Sequence, residues 1–234
     1  MKGIARKILH FLGLEAIARL IFMDSAPKEN GWFKSVKTRQ AVDIHGEAIP
    51  WLTYPFIDFI KDRIHKNLDI FEFGAGNSSI YYAKNAKSII SIEHSPEWHK
   101  NIMSNDKYNY KNLEVKLIEI PDDMREIGYH AMAFTNTEND YVFSLKQTGR
   151  KFNIVVVDGL FRNSCMMHSL DSLTDDGIIF LDNTSKHYAK DLKTGTDFLA
   201  ENGFRRLDFY GMGPIYSRKS CTSIFYRDNN CFNI

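Results

Sequence analysis

The sequence DIFEFGAGNSS, residues 69–79, joins a short run rich in isoleucine and phenylalanine to a loop with two glycines. The first five residues are typical of a buried strand, and Gly74 and Gly76 then interrupt the apolar pattern. Because glycine has no Cβ, a ligand can approach such a loop closely, and the capping side chains at 77–79 favour a helix directly after it. The first turn of that helix would present unpaired N–H groups. The stretch therefore predicts a strand, a ligand-binding loop and a helix.

The size and composition of the chain are those of an ordinary globular protein. Its 234 residues allow one large α/β domain, with or without an extension. Hydrophobic residues make up 44% of the chain and charged residues 25%, so a sizeable core is expected. A net charge of +1 gives no reason to expect a nucleic-acid partner. The three cysteines form no CxxC pair, which fits free thiols in a reducing, cytoplasmic compartment.

The amino-terminal segment is apolar but interrupted by charge. Residues such as Arg6 and Glu15 exclude a clean signal peptide and a membrane-spanning helix. On a helix these charges scatter around the axis, which weakens a surface-lying membrane interpretation. We expect residues 1–48 to form a helical extension and linker that packs on the body or on a partner, and residues 49–234 to form the main domain. Peripheral membrane contact is the alternative, and the oligomeric state stays open, a homodimer included.

Beyond residue 69, short apolar runs alternate with segments that suit helices. The predicted strands are 70–73, 88–93, 113–119, 153–158, 177–182, 204–210 and 222–227. The predicted helices are 49–67, 79–85, 96–104 and 165–173. This alternation predicts a parallel sheet covered on both faces. The loop 211–221 is too short for a crossover helix, so the last two strands are expected to be antiparallel.

Two acidic residues flank the glycine loop. Glu72 lies two residues before Gly74, where a carboxylate can meet a cation, and Glu93 lies 17 residues after Gly76, where an acid can accept the hydroxyls of a ribose. Ser79 replaces the third glycine of a dinucleotide fingerprint. The pattern suits a nucleoside with an amino-acid tail, and a nicotinamide-dependent oxidoreductase is the competing hypothesis.

Four motifs in order, FEFGAGNSS, SIEHSPEW, FNIVVVDG and DDGIIFLDN, resemble the class I S-adenosylmethionine-dependent methyltransferases. The resemblance covers roughly residues 51–227 and is nearest to bacterial O-methyltransferases of small molecules or glycan precursors. It implies a Rossmann-like, doubly wound, seven-stranded sheet, mostly parallel with an antiparallel last strand. A non-catalytic scaffold with the same fold is a further alternative.

The resemblance also implies a cofactor site for S-adenosylmethionine. Glu72 and the glycine loop would hold the methionine end, Glu93 the ribose, and His94 would lie beside the adenine. The implied cofactor-binding residues are Glu72, Gly74, Ala75, Gly76, Asn77, Ser78, Glu93, His94 and Asp158.

A second group of polar residues follows two later strands, at the edge of the sheet where open α/β folds bind ligands. Asp158, Asp182 and Asn183 are similar to the metal-ligand pattern of magnesium-dependent catechol-type O-methyltransferases. Such oxygen ligands suit Mg²⁺, which would lower the pKa of a substrate hydroxyl. These three residues are therefore predicted metal ligands.

The predicted catalytic residues are Asp158, Arg162 and His187. No lysine follows Asp158 as a general base, and Arg162 stays protonated, so it would instead hold an anionic substrate group or form a salt bridge. Without a metal, Asp158 or His187 is the predicted base. In the loop 211–221, Arg218 and its neighbours either approach a polar or anionic substrate or are simply solvated. The acceptor itself, a small molecule or a glycan precursor, is not named by the sequence.

Overall fold

The computed structural model describes residues 10–120, 124 and 129–234, and this part of the chain contains one seven-stranded sheet. The strand order is β3-β2-β1-β4-β5-β7-β6, with β1 to β5 parallel and β7 antiparallel to both β5 and β6. The predicted doubly wound sheet with an antiparallel last strand is confirmed. The strands are β1 Asp69–Phe73, β2 Ser88–Glu93, β3 Leu113–Leu117, β4 Phe152–Val157, β5 Leu173–Asp182, β6 Arg205–Gly211 and β7 Ser220–Tyr226.

Helices and two 3-10 turns connect these strands. The described α-helices are Glu15–Phe22, Ala26–Glu29, Trp32–Thr38, Tyr54–Ile60, Asn77–Asn85, Pro96–Met103, Tyr129–Phe134, Asp140–Gln147, Arg162–Ser169 and Lys193–Glu201. The 3-10 turns are Asp106–Tyr108 and Leu170–Ser172. The predicted helix 49–67 is shorter than expected, because the chain turns after Ile60 so that Ile64 and Leu68 reach the core.

Two elements differ from the sequence prediction for identifiable reasons. The helix Asp140–Gln147 was missed because polar residues precede it, yet Asn139 caps it by accepting a hydrogen bond from the amide of Val142 at 3.0 Å. Strand β5 was predicted to begin at 177, but it begins at Leu173. A register shift lets Leu173 pair with Phe152 before the regular ladder starts.

The core lies on both faces of the sheet, as expected for parallel strands. Phe71 and Phe73 of β1 pack on one face, and Ile70, which precedes them, packs on the other with Phe56 and Phe180. Side chains alternate between faces with a period of two, so every second residue of a central strand enters the same layer. Both layers are mainly apolar, and the polar residues Glu93, Asp158 and Asp182 lie at the carboxyl ends of β2, β4 and β5.

The amino-terminal region divides into two parts. Residues 41 and 42 are buried, and Val42 pairs with Ala48, so the predicted linker packs against the body at its end. Trp32 also packs against the core, and its Nε1 donates to the carbonyl oxygen of Tyr216 at 3.2 Å. Further toward the amino terminus the apolar side chains are uncovered, since Phe11 is 88% exposed and Phe22 is 79% exposed. The first nine residues lie outside the described part. No helix among the described residues is long and apolar enough to cross a membrane.

Candidate functional site

The glycine loop after β1 has the geometry that its sequence requires. Gly74 has φ of +100°, and a Cβ there would lie 3.3 Å from the amide nitrogen of Gly159. The Gly74 amide donates to the carbonyl oxygen of Ile92 at 2.9 Å, and the Gly76 amide donates to Oγ of Ser79 at 3.1 Å. The loop is thus held against β2, β4 and the helix Asn77–Asn85, with its outer side open.

Glu72 lies beneath this loop and is buried. Its Oε2 accepts hydrogen bonds from the hydroxyls of Ser79 at 2.5 Å and Ser91 at 2.7 Å, and the two hydroxyls lie 3.0 Å apart. Burial raises the pKa of Glu72 to about 7, although the neighbouring serine hydroxyls act in the opposite direction. From the sequence, Ser79 was interpreted as a helix-capping side chain and as the replacement for a third glycine. The structure shows that its hydroxyl connects Glu72 to the Gly76 amide.

Glu93 fixes the other side of the loop. Its Oε2 accepts from the Ala75 amide at 3.3 Å, and its Oε1 accepts from the amides of His94 at 2.9 Å and Ser95 at 2.8 Å. Nδ1 of His94 lies 3.1 Å from the same Oε1. The carboxylate therefore stands at a defined position at the end of β2.

A cavity of about 550 Å³ opens beside the glycine loop. The predicted cofactor residues that line it are Gly74, Ala75, Gly76, Asn77, Ser78, Glu93, His94 and Asp158. Glu72 is not among the lining residues, because it lies under the loop, so its contact with a cofactor stays a prediction. The structure thus brings eight of the predicted side chains and loop residues to one cavity.

Sequence reasoning missed one wall of this cavity. Trp98, Asn101, Ile102 and Asn105 line it, and Nε1 of Trp98 donates to the carbonyl oxygen of Ala75 at 2.8 Å. Trp98, Asn101 and Ile102 lie three and four residues apart on one face of the helix Pro96–Met103, and this spacing was the signal available in the sequence. Asn105 lies beyond the end of that helix.

The amino-terminal region supplies a further wall. Arg39, Gln40 and Ala41 line the same cavity, and Nδ2 of Asn77 donates to the carbonyl oxygen of Ala41 at 2.7 Å. The segment predicted as a linker therefore reaches the cavity beside the glycine loop.

A second cavity of about 350 Å³ lies next to the first. It is lined by Trp51, Leu52, Thr53, Asp158, Arg162, Asp182, Asn183, Tyr188, Gly213, Pro214, Tyr216, Arg218 and Ser220. Trp51 and Asp158 line both cavities, so one aromatic ring and one carboxyl group stand at their junction.

Arg162 organises the polar end of the second cavity. Its Nε donates to the carbonyl oxygen of Gly159 at 3.0 Å, and its Nη1 donates to the carbonyl oxygen of Asp182 at 2.8 Å and to Oδ1 of Asn183 at 3.0 Å. Its Nη2 donates to the carbonyl oxygen of Asp158 at 2.9 Å and lies 3.4 Å from Oδ1 of that residue. The guanidinium is buried, and its donors are directed at the chain itself.

The two carboxyl groups beside Arg162 differ in their surroundings. Asp182 is buried, with Oδ1 accepting from the hydroxyl of Thr222 at 2.6 Å and Oδ2 accepting from Nδ2 of Asn183 at 2.7 Å. Asp158 is partly exposed to the cavities. Burial raises the pKa of both carboxyl groups, the charge of Asp182 raises that of Asp158 further, and Arg162 opposes the shift in each.

The predicted metal ligands do not fit a magnesium site in this arrangement. Both carboxylate oxygens of Asp182 accept hydrogen bonds from the protein, and the Arg162 cation already stands beside Asp158. Nor does the described part of the chain contain a group of three or more His, Cys, Asp or Glu side chains able to hold a metal ion.

His187 is not brought to the other predicted catalytic residues. It is exposed and lines a separate shallow cavity with Ser185, Lys186, Tyr210, Lys219 and Ser220. Its neighbour Tyr188 lines the second cavity and stacks on Phe134, with ring centroids 5.1 Å apart. A catalytic role of His187 stays a prediction.

The sheet order, the antiparallel β7 between β5 and β6, and the ligand cavity at the carboxyl edge define the Rossmann-like methyltransferase fold. No known family profile and no curated protein sequence matches the chain significantly. Among solved structures, it is similar to an rRNA methylase from Streptococcus thermophilus, with 11% identity and a TM-score of 0.51 over 76% of this chain and 99% of that chain.

Two further similar structures differ in their described activities. One, from Klebsiella pneumoniae, is named for a proposed O-methyltransferase activity, with 11% identity and a TM-score of 0.50 over 91% of this chain and 94% of that chain. The other is a spermidine synthase, with 14% identity and a TM-score of 0.51 over 72% of this chain and 56% of that chain. At such identities the likeness shows the fold alone, and the reaction must be argued from the site.

Proposed function

We propose that the protein is an S-adenosylmethionine-dependent methyltransferase that methylates a hydroxyl group of a small molecule or glycan precursor. The observation that carries this proposal is the pair of adjoining cavities with Asp158 at their junction. A donor in the larger cavity and an acceptor in the smaller one would meet beside a single carboxyl group. The names of the similar structures from Streptococcus thermophilus and Klebsiella pneumoniae are consistent with methyl transfer.

The larger cavity suits a nucleoside with an amino-acid tail. Its volume of about 550 Å³ is in the usual range for a small-molecule site. Glu93 offers carboxylate oxygens at the end of β2, and the open side of the glycine loop admits a ligand against the backbone. Trp98 and Ile102 supply an apolar wall on which a base can pack.

The residues at the junction suit transfer to a hydroxyl. S-adenosylmethionine supplies an activated methyl group whose carbon–sulfur bond breaks as the oxygen–carbon bond forms, with a thioether as the leaving group. Asp158 would accept the hydroxyl proton, and Arg162 would orient Asp158 through its contacts with the carbonyl oxygen and Oδ1 of that residue. The remaining rate enhancement comes from holding the two reactants in line.

Ligand binding tests the first half of the proposal. We expect S-adenosylhomocysteine to bind in isothermal titration calorimetry and to raise the melting temperature, and NAD to do neither. Glu93→Gln should weaken binding about tenfold or more, because charge-assisted hydrogen bonds are the stronger ones. The matched control is Glu97→Gln, an exposed acid on the next helix that does not line the cavity. Binding of NAD instead would support the oxidoreductase and contradict the proposal.

Methyl transfer tests the second half. With isotopically labelled S-adenosylmethionine and a panel of hydroxyl acceptors, label should appear in an ether product. Asp158→Asn should lower kcat, while its affinity for S-adenosylhomocysteine should stay within about threefold of that of the unmodified protein. Cofactor binding without transfer to any acceptor, with and without metal ions, would identify a non-catalytic scaffold.

We further propose that the amino-terminal segment holds the protein at an anionic lipid surface on the cytoplasmic side. Its apolar side chains Phe11 and Phe22 are not covered by the described body, and the sequence before residue 20 carries more basic than acidic residues. Flotation with vesicles containing phosphatidylserine tests this, with Phe22→Glu as the disrupting variant and Lys61→Glu as the control. A stable homodimer in light scattering, with no flotation, would contradict it.

A further inference from the structure

A second ligand surface continues from the smaller cavity toward solvent. The shallow cavity of about 500 Å³ that contains His187 shares Ser220 with the cavity that contains Asp158. Its two sides are the segment after β5 and the start of β7, joined by a hydrogen bond from the Thr184 amide to the carbonyl oxygen of Cys221 at 2.9 Å. A molecule bound beside Asp158 can therefore extend past Ser220 into this groove.

The groove is basic. Lys186 and Lys219 line it, and Arg218 lines the adjoining cavity, all three with exposed side chains. None of these three cations forms an ion pair with any residue that the structure describes. The nearby acid Asp208 does not neutralise them, because its Oδ1 already accepts from Nε of Arg206 at 2.6 Å and from the hydroxyl of Ser223. Cations without carboxylate partners make this surface attractive to anions.

Aromatic rings border the same path. The rings of Trp51 and Tyr216 lie 5.3 Å apart at the mouth of the smaller cavity, although they are 43% and 51% exposed. The guanidinium of Arg218 lies 5.2 Å from the Tyr216 ring, and Nζ of Lys219 lies 5.2 Å from the Tyr210 ring. These contacts hold the two cations along the groove.

On the basis of the proposed function, we propose that the methyl acceptor is an anionic small molecule whose phosphate or carboxylate binds Lys186, Arg218 and Lys219 while its hydroxyl group lies beside Asp158. Polar groups of fixed charge would orient the acceptor, and the Trp51 and Tyr216 rings would pack against its body. The basic surface is small and the net charge of the chain is only +1, which favours a small anion over a nucleic acid.

Binding of three matched sugars tests this. Glucose 1-phosphate and glucuronate present a phosphate and a carboxylate, and glucose is their neutral counterpart. By calorimetry in the presence of S-adenosylhomocysteine, at least one charged sugar should bind tenfold or more tightly than glucose, and the preference should shrink as salt rises from 50 to 300 mM. The charged sugar that binds more tightly shows whether the surface prefers a phosphate or a carboxylate.

The triple variant Lys186→Gln, Arg218→Gln, Lys219→Gln should lose that tenfold preference and keep its affinity for S-adenosylhomocysteine. Lys190→Gln, an exposed lysine outside the groove, is the control and should change neither value. Equal binding of glucose and both charged sugars, an unchanged preference in the triple variant, or tighter binding of a single-stranded RNA ten-mer would overturn the proposal. If the unmodified protein did not bind S-adenosylhomocysteine at all, that result would instead refute the proposed function.

Discussion

The hydroxyl of Ser79 donates a hydrogen bond to Oε2 of Glu72 at 2.5 Å, and the same hydroxyl accepts a hydrogen bond from the amide of Gly76 at 3.1 Å. A buried carboxyl group thus supports the ligand loop from below through one serine. Because Glu72 is enclosed by Ser79, Ser91 and apolar strands, its protonation state is coupled to folding.

The stability of the protein should depend on pH through Glu72. The pKa of this residue is about 7 in the folded protein and 4.5 in its ordinary state, so the folded state keeps the proton while the unfolded state loses it. Ionisation therefore favours unfolding progressively between pH 4.5 and 7, by roughly 3 kcal/mol in full. Glu72→Gln should be more stable than the unmodified protein at pH 8 and similar at pH 4, as measured by urea unfolding. A difference that does not change with pH would contradict this.

Two glycines should separate folding from ligand binding. Gly76 is extended, and a Cβ there meets no atom within 4 Å, so Gly76→Ala should fold normally. Because Gly76 lines the larger cavity, where the proposed function puts the cofactor, the affinity for S-adenosylhomocysteine should fall at least tenfold. Gly149 has φ of +62° and lies away from the cavity, so Gly149→Ala should cost about 1 kcal/mol of stability and leave affinity unchanged. Melting curves and calorimetry on both variants check the contrast, which would fail if Gly76→Ala bound normally.

Removing Arg162 should destabilise the fold strongly. Arg162→Ala leaves buried carbonyl oxygens and two carboxyl groups without their cation, at a cost of about 3–5 kcal/mol in urea unfolding. Arg205→Ala is the control, because its exposed pair with Asp228 should contribute less than about 1 kcal/mol. Comparable losses of unfolding free energy for both variants would show that Arg162 stabilises the fold no more than an exposed ion pair does.

Activity should persist in a chelator. The oxygens of Asp182 are engaged by Thr222 and Asn183, so methyl transfer is expected to be unchanged, within about twofold, when EDTA replaces added Mg²⁺. Asp182→Asn should respond to EDTA in the same way. Activity that disappears in EDTA and returns with Mg²⁺ would restore the predicted metal site.

The sequence predicted the sheet and the residues that line the larger cavity better than those that line the smaller one. Strands rich in Ile, Val and Phe, the glycine loop and Glu93 have local signals, because each is set by backbone conformation or a fixed chain distance. The second cavity has no such signal. It is assembled from segments far apart in the chain, such as Trp51, Arg162 and Arg218, so their proximity depends on tertiary packing.

Arg162 shows the limit most clearly. From the sequence, it was predicted to hold a substrate anion or to form a salt bridge at a helix start. In the structure, the Arg162 guanidinium donates hydrogen bonds to the carbonyl oxygens of Gly159, Asp158 and Asp182. No rule of sequence spacing predicts these contacts. The helix Pro96–Met103 is the opposite case. The spacing of Trp98 and Ile102 indicates a shared helix face in the sequence itself, and this face lines the larger cavity.

The position of β7 has a consequence for how the protein is made. Ribosomes synthesise β1, β2 and β4, and with them the glycine loop and Glu93, well before residues 220–226 exist. Yet β7 lies between β5 and β6, and its Thr222 hydroxyl holds Asp182. During translation all residues that line the larger cavity therefore exist before β7, and the part of the smaller cavity that contains Ser220 can form only after β7 has been synthesised and has paired with β5 and β6.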